Sequence, residues 1–294
     1  MAKIYPDTNW FVDFYQAALD AIDVFSELQK YKSSFVLTAQ TVNEFRRNRV
    51  RTLKSVATQF RKSLAANPHT TSVLRALPGH SELTTLSSQY AKKGREVLKY
   101  LEQLIEEEQQ DPVAQKFTAF ISDPAVIRFG LTDAVIAAAH RRKLLGNPPS
   151  SPDKYTIGDE VIWEMLLANM QDDLIVLTRD HTFHENLSLL AEEFNKRTGR
   201  RLILVTRTLS EALKKVGEAP TQELIAIEKE EAKRLDSPPL SEFSQEQLKN
   251  MLNREICPRC GKDGTIAGFE GSDGDGMDWF ECRNCGLFED ITGW

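Results

Sequence analysis

No run in these 294 residues approaches the roughly 18 consecutive apolar positions of a membrane-spanning helix, so a bundle of such helices is excluded. The opening "MAKIYPDTNW" is too short and too soon charged for a secretion signal, and a cytoplasmic location is expected. Cysteine is missing from the first 256 positions and all 4 cysteines fall near the end, which rules out a disulfide framework for most of the chain. No Gly-x-x-x-x-Gly-Lys loop is present to cradle a nucleotide phosphate. Asp7 is followed two positions on by Asn9, not a second aspartate, which speaks against a phosphatase or phosphotransferase of the Asp-x-Asp kind. Repeats of 20 to 50 residues and low-complexity tracts are lacking too, so solenoids and disordered tails are set aside. A net charge of -6 excludes a generally basic nucleic-acid coat, though a local basic stripe is compatible with it.

What is there alternates. Lys3 to Pro6 is a short strand ending at Asp7, and Trp10 to Leu28 carries helix-spaced Phe11, Phe14, Ala18, Ile22 and Phe25. "SFVL" from Ser34 is a second strand, and Thr38 caps a long helix. Residues 67 to 150 are polar and helical, broken by Pro68, Pro78, Pro112 and Pro124, with no good strand; about 67 to 145 is expected to be a helical insertion. A Pro/Ser/Gly loop, "LLGNPPSSPDKYTIGD", precedes an apolar helix from Asp159. Then come the strand "LIVLT", a helix over Phe183 to Lys196, the strand "RLILV" and a helix over Leu209 to Val216. This alternation predicts an α/β domain over residues 1 to 216, a parallel sheet between two helical layers. Residues 217 to 253 read as a charged helical linker, with Ser244 and Gln247 in capping-box spacing.

Parallel sheets gather ligands at the carboxyl ends of their strands, where Asp7 and Asp180 fall. Asp159 opens a helix, and Glu44 lies two turns into another whose side chains lean toward its start. Four carboxylates in one crevice repel unless a divalent cation neutralises them, and oxygen-only donors suit Mg²⁺ or Mn²⁺. Such an ion activates water and stabilises charge growing on a phosphate, so the chemistry indicated is phosphodiester hydrolysis. Each acid alone has a plainer role open to it: Asp159 as a helix cap, Glu44 paired with Arg47 or Asn48, Asp180 as a turn residue. Asp7, set between bulky residues in "YPDTNWF", is harder to explain without partners.

The set "YPDTNWFVDFY", "VLTAQTVNEFRRNR", "LLGNPPS…IGDEVIWEMLL" and "LIVLTRD" resembles the PIN-like nuclease superfamily, in particular a bacterial subgroup with an Asn-Pro-Pro loop ahead of a Gly-Asp helix. The resemblance spans roughly residues 1 to 215 and implies a three-layer α/β/α fold whose acids bind Mg²⁺ or Mn²⁺ and cleave RNA, less often DNA. By matched motif it assigns the acids to Asp7, Glu44, Asp159 and Asp180, with Thr8 and Asn9 orienting the first; Glu160, next to Asp159, is a secondary candidate that would assist through water. "GLTDAVIAAAH" offers Asp133 as a rival third acid; the expectation is that Asp133 instead caps its own helix.

Between Arg46 and Lys62 seven basic residues stand with no acid among them, and Arg46, Arg47 and Arg49 are expected to contact nucleic-acid phosphates; a solvated helix face is the alternative. His181 and His184 suit loop or substrate contact better than metal ligation. "CPRCG" and "CRNCG" place Cys257, Cys260, Cys282 and Cys285 as two knuckles 21 residues apart, the spacing of a Cys₄ structural Zn²⁺ site. Residues 254 to 294 are too few for a core of their own, and a zinc ribbon is expected there, ahead of disulfides or a redox pair. "GSDGDGMD" reads as a hairpin turn, not a calcium loop, because Met277 occupies a ligand position. Trp279, Phe280 and Trp294 suit base stacking or the ribbon's own core, so RNA and a protein partner are both open for it. The two functions carried forward are a metal-dependent endoribonuclease and a non-catalytic binding module.

Overall fold

A computed structural model describes residues 2–15, 24–64, 70–150 and 156–235, with 250–251, 254, 256–257, 266–267, 279–282 and 288–290. The chain divides into two compact units, the first reaching Ala219 and the second starting at Pro220.

In the first unit, β1 (Ala2–Pro6) is followed at once by α1 (Thr8–Val12), α2 (Val24–Lys30), β2 (Val36–Thr38) and the long α3 (Ala39–Ser63). Thr38 starts α3 as expected, its side chain accepting from Thr41 N. The single helix expected over Trp10 to Leu28 is instead interrupted: α1 passes into a 3₁₀ turn at Asp13–Tyr15, and residues 16–23 lie outside the described set. Next come α4 (Ser72–Arg75), α5 (His80–Glu106), α6 (Pro112–Ser122), β3 (Ile127–Phe129) and α7 (Asp133–Leu145). α8 (Gly158–Asn169), β4 (Asp173–Leu177), α9 (His181–Glu185), α10 (Leu187–Thr198), β5 (Leu202–Thr206) and α11 (Leu209–Lys215) complete it.

β1 pairs parallel with β4, and β4 with β5. β2 pairs parallel with β3, and a parallel bridge between Ile4 and Phe35 joins this pair to β1. The resulting order, 3-2-1-4-5, reverses direction between β1 and β4. β3 corrects the expectation of no strand between 67 and 150. It is three residues long with Ile127 and Arg128 exposed, so it shows neither alternation nor an apolar run. Asp133 is also corrected: Thr132 caps α7 by accepting from Val135 N, and Asp133 is an exposed first-turn residue.

Both pleats of the central strands are buried, as a parallel sheet between helices requires. Tyr5, Leu174 and Val176 pack with Trp163 and Leu166 of α8 and Leu190 and Phe194 of α10. Ile4 and Ile175, pointing the other way, are fully buried as well. Beside them an aromatic cluster joins α1, α3 and α6: Phe11 meets Phe117 edge-on at 4.8 Å and Phe45 stacks on Phe117 at 3.8 Å. α1 is thereby fixed, and with it the residue that starts it.

The second unit holds α12 (Gln222–Leu235) and an antiparallel sheet of β6 (Ile266–Ala267), β7 (Trp279–Cys282) and β8 (Phe288–Asp290), in that order. Cys257 is buried and Cys282 ends β7, while Cys260, Cys285, Trp294, the "GSDGDGMD" stretch and the Ser244–Gln247 box lie outside the described residues.

Candidate functional site

β1 and β4 are neighbours at the point where the strand order reverses, and it is outside the carboxyl ends of such a strand pair that parallel sheets gather ligands. Asp7 stands at that point. Its backbone N–H donates to Leu177 O at 2.9 Å, which sets it beside the end of β4. Its extended backbone makes it the cap of α1, with Oδ1 accepting from Thr8 N at 2.7 Å. Oδ2 accepts from Thr178 Oγ1 at 2.8 Å and from Asn9 Nδ2 at 3.4 Å. The side chain is 4% exposed.

Glu44 reaches the same place from α3. Its Oε2 accepts from Thr8 Oγ1 at 3.1 Å and its Oε1 from Gln40 Nε2 at 2.7 Å. Thr8 thus touches both acids, by its backbone and by its hydroxyl. Asp159 arrives in the first turn of α8, immediately after Gly158. An added Cβ at Gly158 would sit 2.1 Å from Glu44 Oε1, so glycine here leaves the room that the Glu44 carboxylate takes up.

The electrostatics register this convergence. Asp7 is pushed up from 3.8 to about 7, first by burial and then by the charge of Asp159, with a smaller push from Glu44; the Thr178 hydroxyl and the Thr8 N–H oppose the rise. Tyr5, fully buried two residues earlier on β1, has its hydroxyl held well above the usual range by burial first, then by Asp7, Glu44 and Asp159. The Tyr5 hydroxyl shares a 2.7 Å hydrogen bond with Thr41 Oγ1, which bonds on to Thr38 Oγ1 at 2.8 Å. Asp7, Glu44 and Asp159 therefore share one acidic locality.

Asp180 is joined to it through one hydroxyl. Thr178 Oγ1 donates to Asp7 and accepts from Asp180 N at 3.0 Å, while Asp180 Oδ1 caps α9 by accepting from Thr182 N at 2.8 Å. His184 Nε2 lies 3.1 Å from Thr178 O, and His181 is exposed. Glu160 is buried with its carboxylate 3.4 Å from Lys143 Nζ of α7.

Of the three arginines expected to meet phosphates, Arg46 and Arg47 are exposed, 3.8 Å from Glu108 Oε1 and 3.7 Å from Glu44 Oε1 respectively. Arg49 corrects the expectation. It is 2% exposed, donates from Nε to Asp111 Oδ2 at 2.6 Å and from its terminal nitrogens to Leu104 O and Ile105 O. Its α3 neighbours Phe45, Leu53 and Ala57 are buried, so helical spacing carries it to the core side.

The donor set is all oxygen, which fits Mg²⁺ or Mn²⁺ in kind. Among the described residues no group of three or more His, Cys, Asp and Glu side chains is disposed to hold an ion as it stands. Glu44 is held by Thr8 and Gln40, and Asp7 by Thr8 and Thr178, so gathering them around a cation requires side-chain rotation. Asp7, raised first by burial and then by Asp159 and Glu44, is a carboxylate whose charged form a nearby dication would favour.

Thr178, Gln40 and Gly158 were not singled out from the sequence. Thr178 stood two residues ahead of Asp180 and Gly158 one ahead of Asp159, yet neither carries charge or periodicity to mark it. A family model described as PIN domain matches residues 4–183, which includes all four acids. No curated protein and no solved structure matches the chain.

Proposed function

The chain belongs to the PIN domain family, commonly metal-dependent nucleases, and from that premise we propose that it is an endonuclease cleaving RNA with Mg²⁺ or Mn²⁺. The observation that carries this reading is Asp7, buried at the switch point of the sheet and raised to about 7 by burial together with Asp159 and Glu44. Like-charged acids kept together in a buried crevice destabilise the fold and are accounted for by a cation they serve.

In this reading Asp7, Glu44, Asp159 and Asp180 hold the cation or its waters. When bound, the ion supplies a nucleophilic water and offsets the charge that grows on the phosphate. The chain's own part is orientation. Thr8 N–H and the Thr178 hydroxyl hold both oxygens of Asp7, and Gln40 and Thr8 hold those of Glu44, contacts that rotation toward a cation would exchange in part for the ion. Arg46 and Arg47, exposed on the same helix as Glu44, seat the phosphates on either side of the bond broken. Asn9 and Glu160 are supporting residues.

Cys257, Cys260, Cys282 and Cys285 are proposed to hold structural Zn²⁺ in a ribbon that selects RNA or a protein partner. Its support is the knuckle spacing and the three short antiparallel strands. A cytoplasmic location accords with the cysteine usage; among the described residues no helix is long and apolar enough to cross a membrane.

The test is cleavage of labelled RNA by purified protein with Mn²⁺ and with chelator. Cleavage is expected with the metal alone; equal cleavage in both overturns the mechanism. One observation favours a second reading, a non-catalytic binding module: Glu44 is already engaged by Thr8 and Gln40, away from ligating geometry. RNA retention without cleavage under any divalent metal, unchanged in Asp7→Ala, is the result expected of such a module.

A further inference from the structure

From the positions of the exposed basic side chains we infer that a stripe along α3, continued on α5, holds a nucleic-acid strand well outside the cleavage crevice. The enzyme would then favour long RNA over short. This deepens the nuclease reading and rests on it for what happens at the near end of the stripe.

Arg47, Arg51, Lys54, Arg61 and Lys62 are all exposed, and their spacing of four, three, seven and one places them on one face of α3. That face is opposite the one buried through Phe45, Arg49, Thr52, Leu53 and Ala57. From Arg47 to Lys62 the axis rises about 22 Å. The near end is anchored at the acids, because Arg47 lies 3.7 Å from Glu44. The far end is widened by α5. Arg61 pairs with Glu102 of α5 at 3.2 Å, which puts that flank of α5 on the same side as the stripe. Lys92, Arg95 and Lys99 follow Glu102 along the flank at helical spacing, all exposed. Glu106 lies on it toward the near end and Glu96 is near Lys92 and Lys99, so α5 adds a mixed flank in which, among the described residues, Arg95 is the base without an ion-pair partner, and most of the uncompensated charge belongs to α3.

A solvated helix usually mixes signs. Arg49, Arg142, Arg179, Arg197 and Arg201 each have a carboxylate within 3.0 Å. Among the described residues Arg51, Lys54, Lys62 and Arg95 have no ion-pair partner, in a chain of net charge -6. Uncompensated charge that follows Arg47 along α3, away from the proposed cleavage site, fits a polyanionic strand better than an acidic protein patch, whose charges are not evenly strung.

The intact protein and its Arg51→Gln/Lys54→Gln/Lys62→Gln variant test this. Binding of a labelled 20-nucleotide single-stranded RNA would be followed in chelator across a salt series, and cleavage of a hexanucleotide with Mn²⁺. The variant should melt like the parent, since all three side chains are exposed. Its salt slope should be shallower by about two and its low-salt affinity lower by about tenfold or more, with hexanucleotide cleavage within twofold. An unchanged slope and affinity overturn the stripe even if RNA is cleaved. Tighter binding of polyglutamate than of RNA, lost in the variant, also overturns it. A parent that cleaves nothing but shows the variant-sensitive slope keeps the stripe and removes the nuclease reading.

Discussion

At the residue scale Asp7 sets the pH behaviour. Its folded pKa, about 7, is above its ordinary value of 3.8. The folded state therefore binds this proton more tightly than the unfolded chain does. The associated stability is fully present below pH 4 and is lost as pH rises through 7, a change on the order of 4 kcal/mol for so buried a group. Without divalent metal the first unit should melt at a lower temperature at pH 8 than at pH 5, and Asp7→Asn should flatten that difference, both read by thermal denaturation. Cleavage at limiting Mn²⁺ should rise through about pH 7, because the metal competes with the proton. Gly158 permits a second prediction. Gly158→Ala places a methyl 2.1 Å from Glu44 Oε1, so Glu44 must swing away. Cleavage should fall by about tenfold or more, while the melting temperature changes little, since alanine adds up to about 1 kcal/mol of helix propensity. Unaltered cleavage would remove Glu44 from the site.

At the element scale α3 carries opposite roles on its two faces. Arg49 closes a buried knot in which Asp111 also accepts from Tyr15 Oη at 2.6 Å and caps α6 through Val113 N and Ala114 N. Removing the guanidinium strands a buried carboxylate. Arg49→Ala should cost about 3–5 kcal/mol in urea denaturation. Arg51→Gln, one turn face away, should stay within about 0.5 kcal/mol. Equal effects would mean the two faces are misassigned. A second knot ties α7, α8 and α10 to the loop ahead of α8. Arg142 donates to Glu164 at 2.6 Å, Glu193 at 2.5 Å and Pro148 O at 2.6 Å, and Arg197 joins Glu164 at 3.0 Å. This fixes the middle of α8, and so Asp159 at its start.

On the scale of the whole molecule the proposed reading assigns the two units different metals, a hard cation for the oxygen donors of the first and zinc for the cysteines of the second. One zinc per chain is expected by elemental analysis of protein purified without added metal. Cys257→Ser should abolish it yet leave hexanucleotide cleavage by the first unit unchanged. Loss of both together would make the ribbon part of the catalytic fold, and an absence of zinc in the parent would remove the ribbon proposal.

Local chemistry was readable along the chain wherever one short segment decides the outcome. The strands that lead to Asp7 and Asp180 announce themselves by apolar runs, and Thr38 by its capping position. Features whose cause lies far along the chain were not readable. Arg49 looked like its basic neighbours because its partner, Asp111, is 62 residues away. β3 is a strand because β2 offers it a ladder, Gly158 makes room for the Glu44 carboxylate that α3 brings beside it, and Thr178 reaches Asp7 because β1 lies next to β4. Periodicity and propensity report what a segment prefers by itself, whereas burial, ion pairing and the pKa of Asp7 belong to pairs of segments that meet only once the sheet has closed.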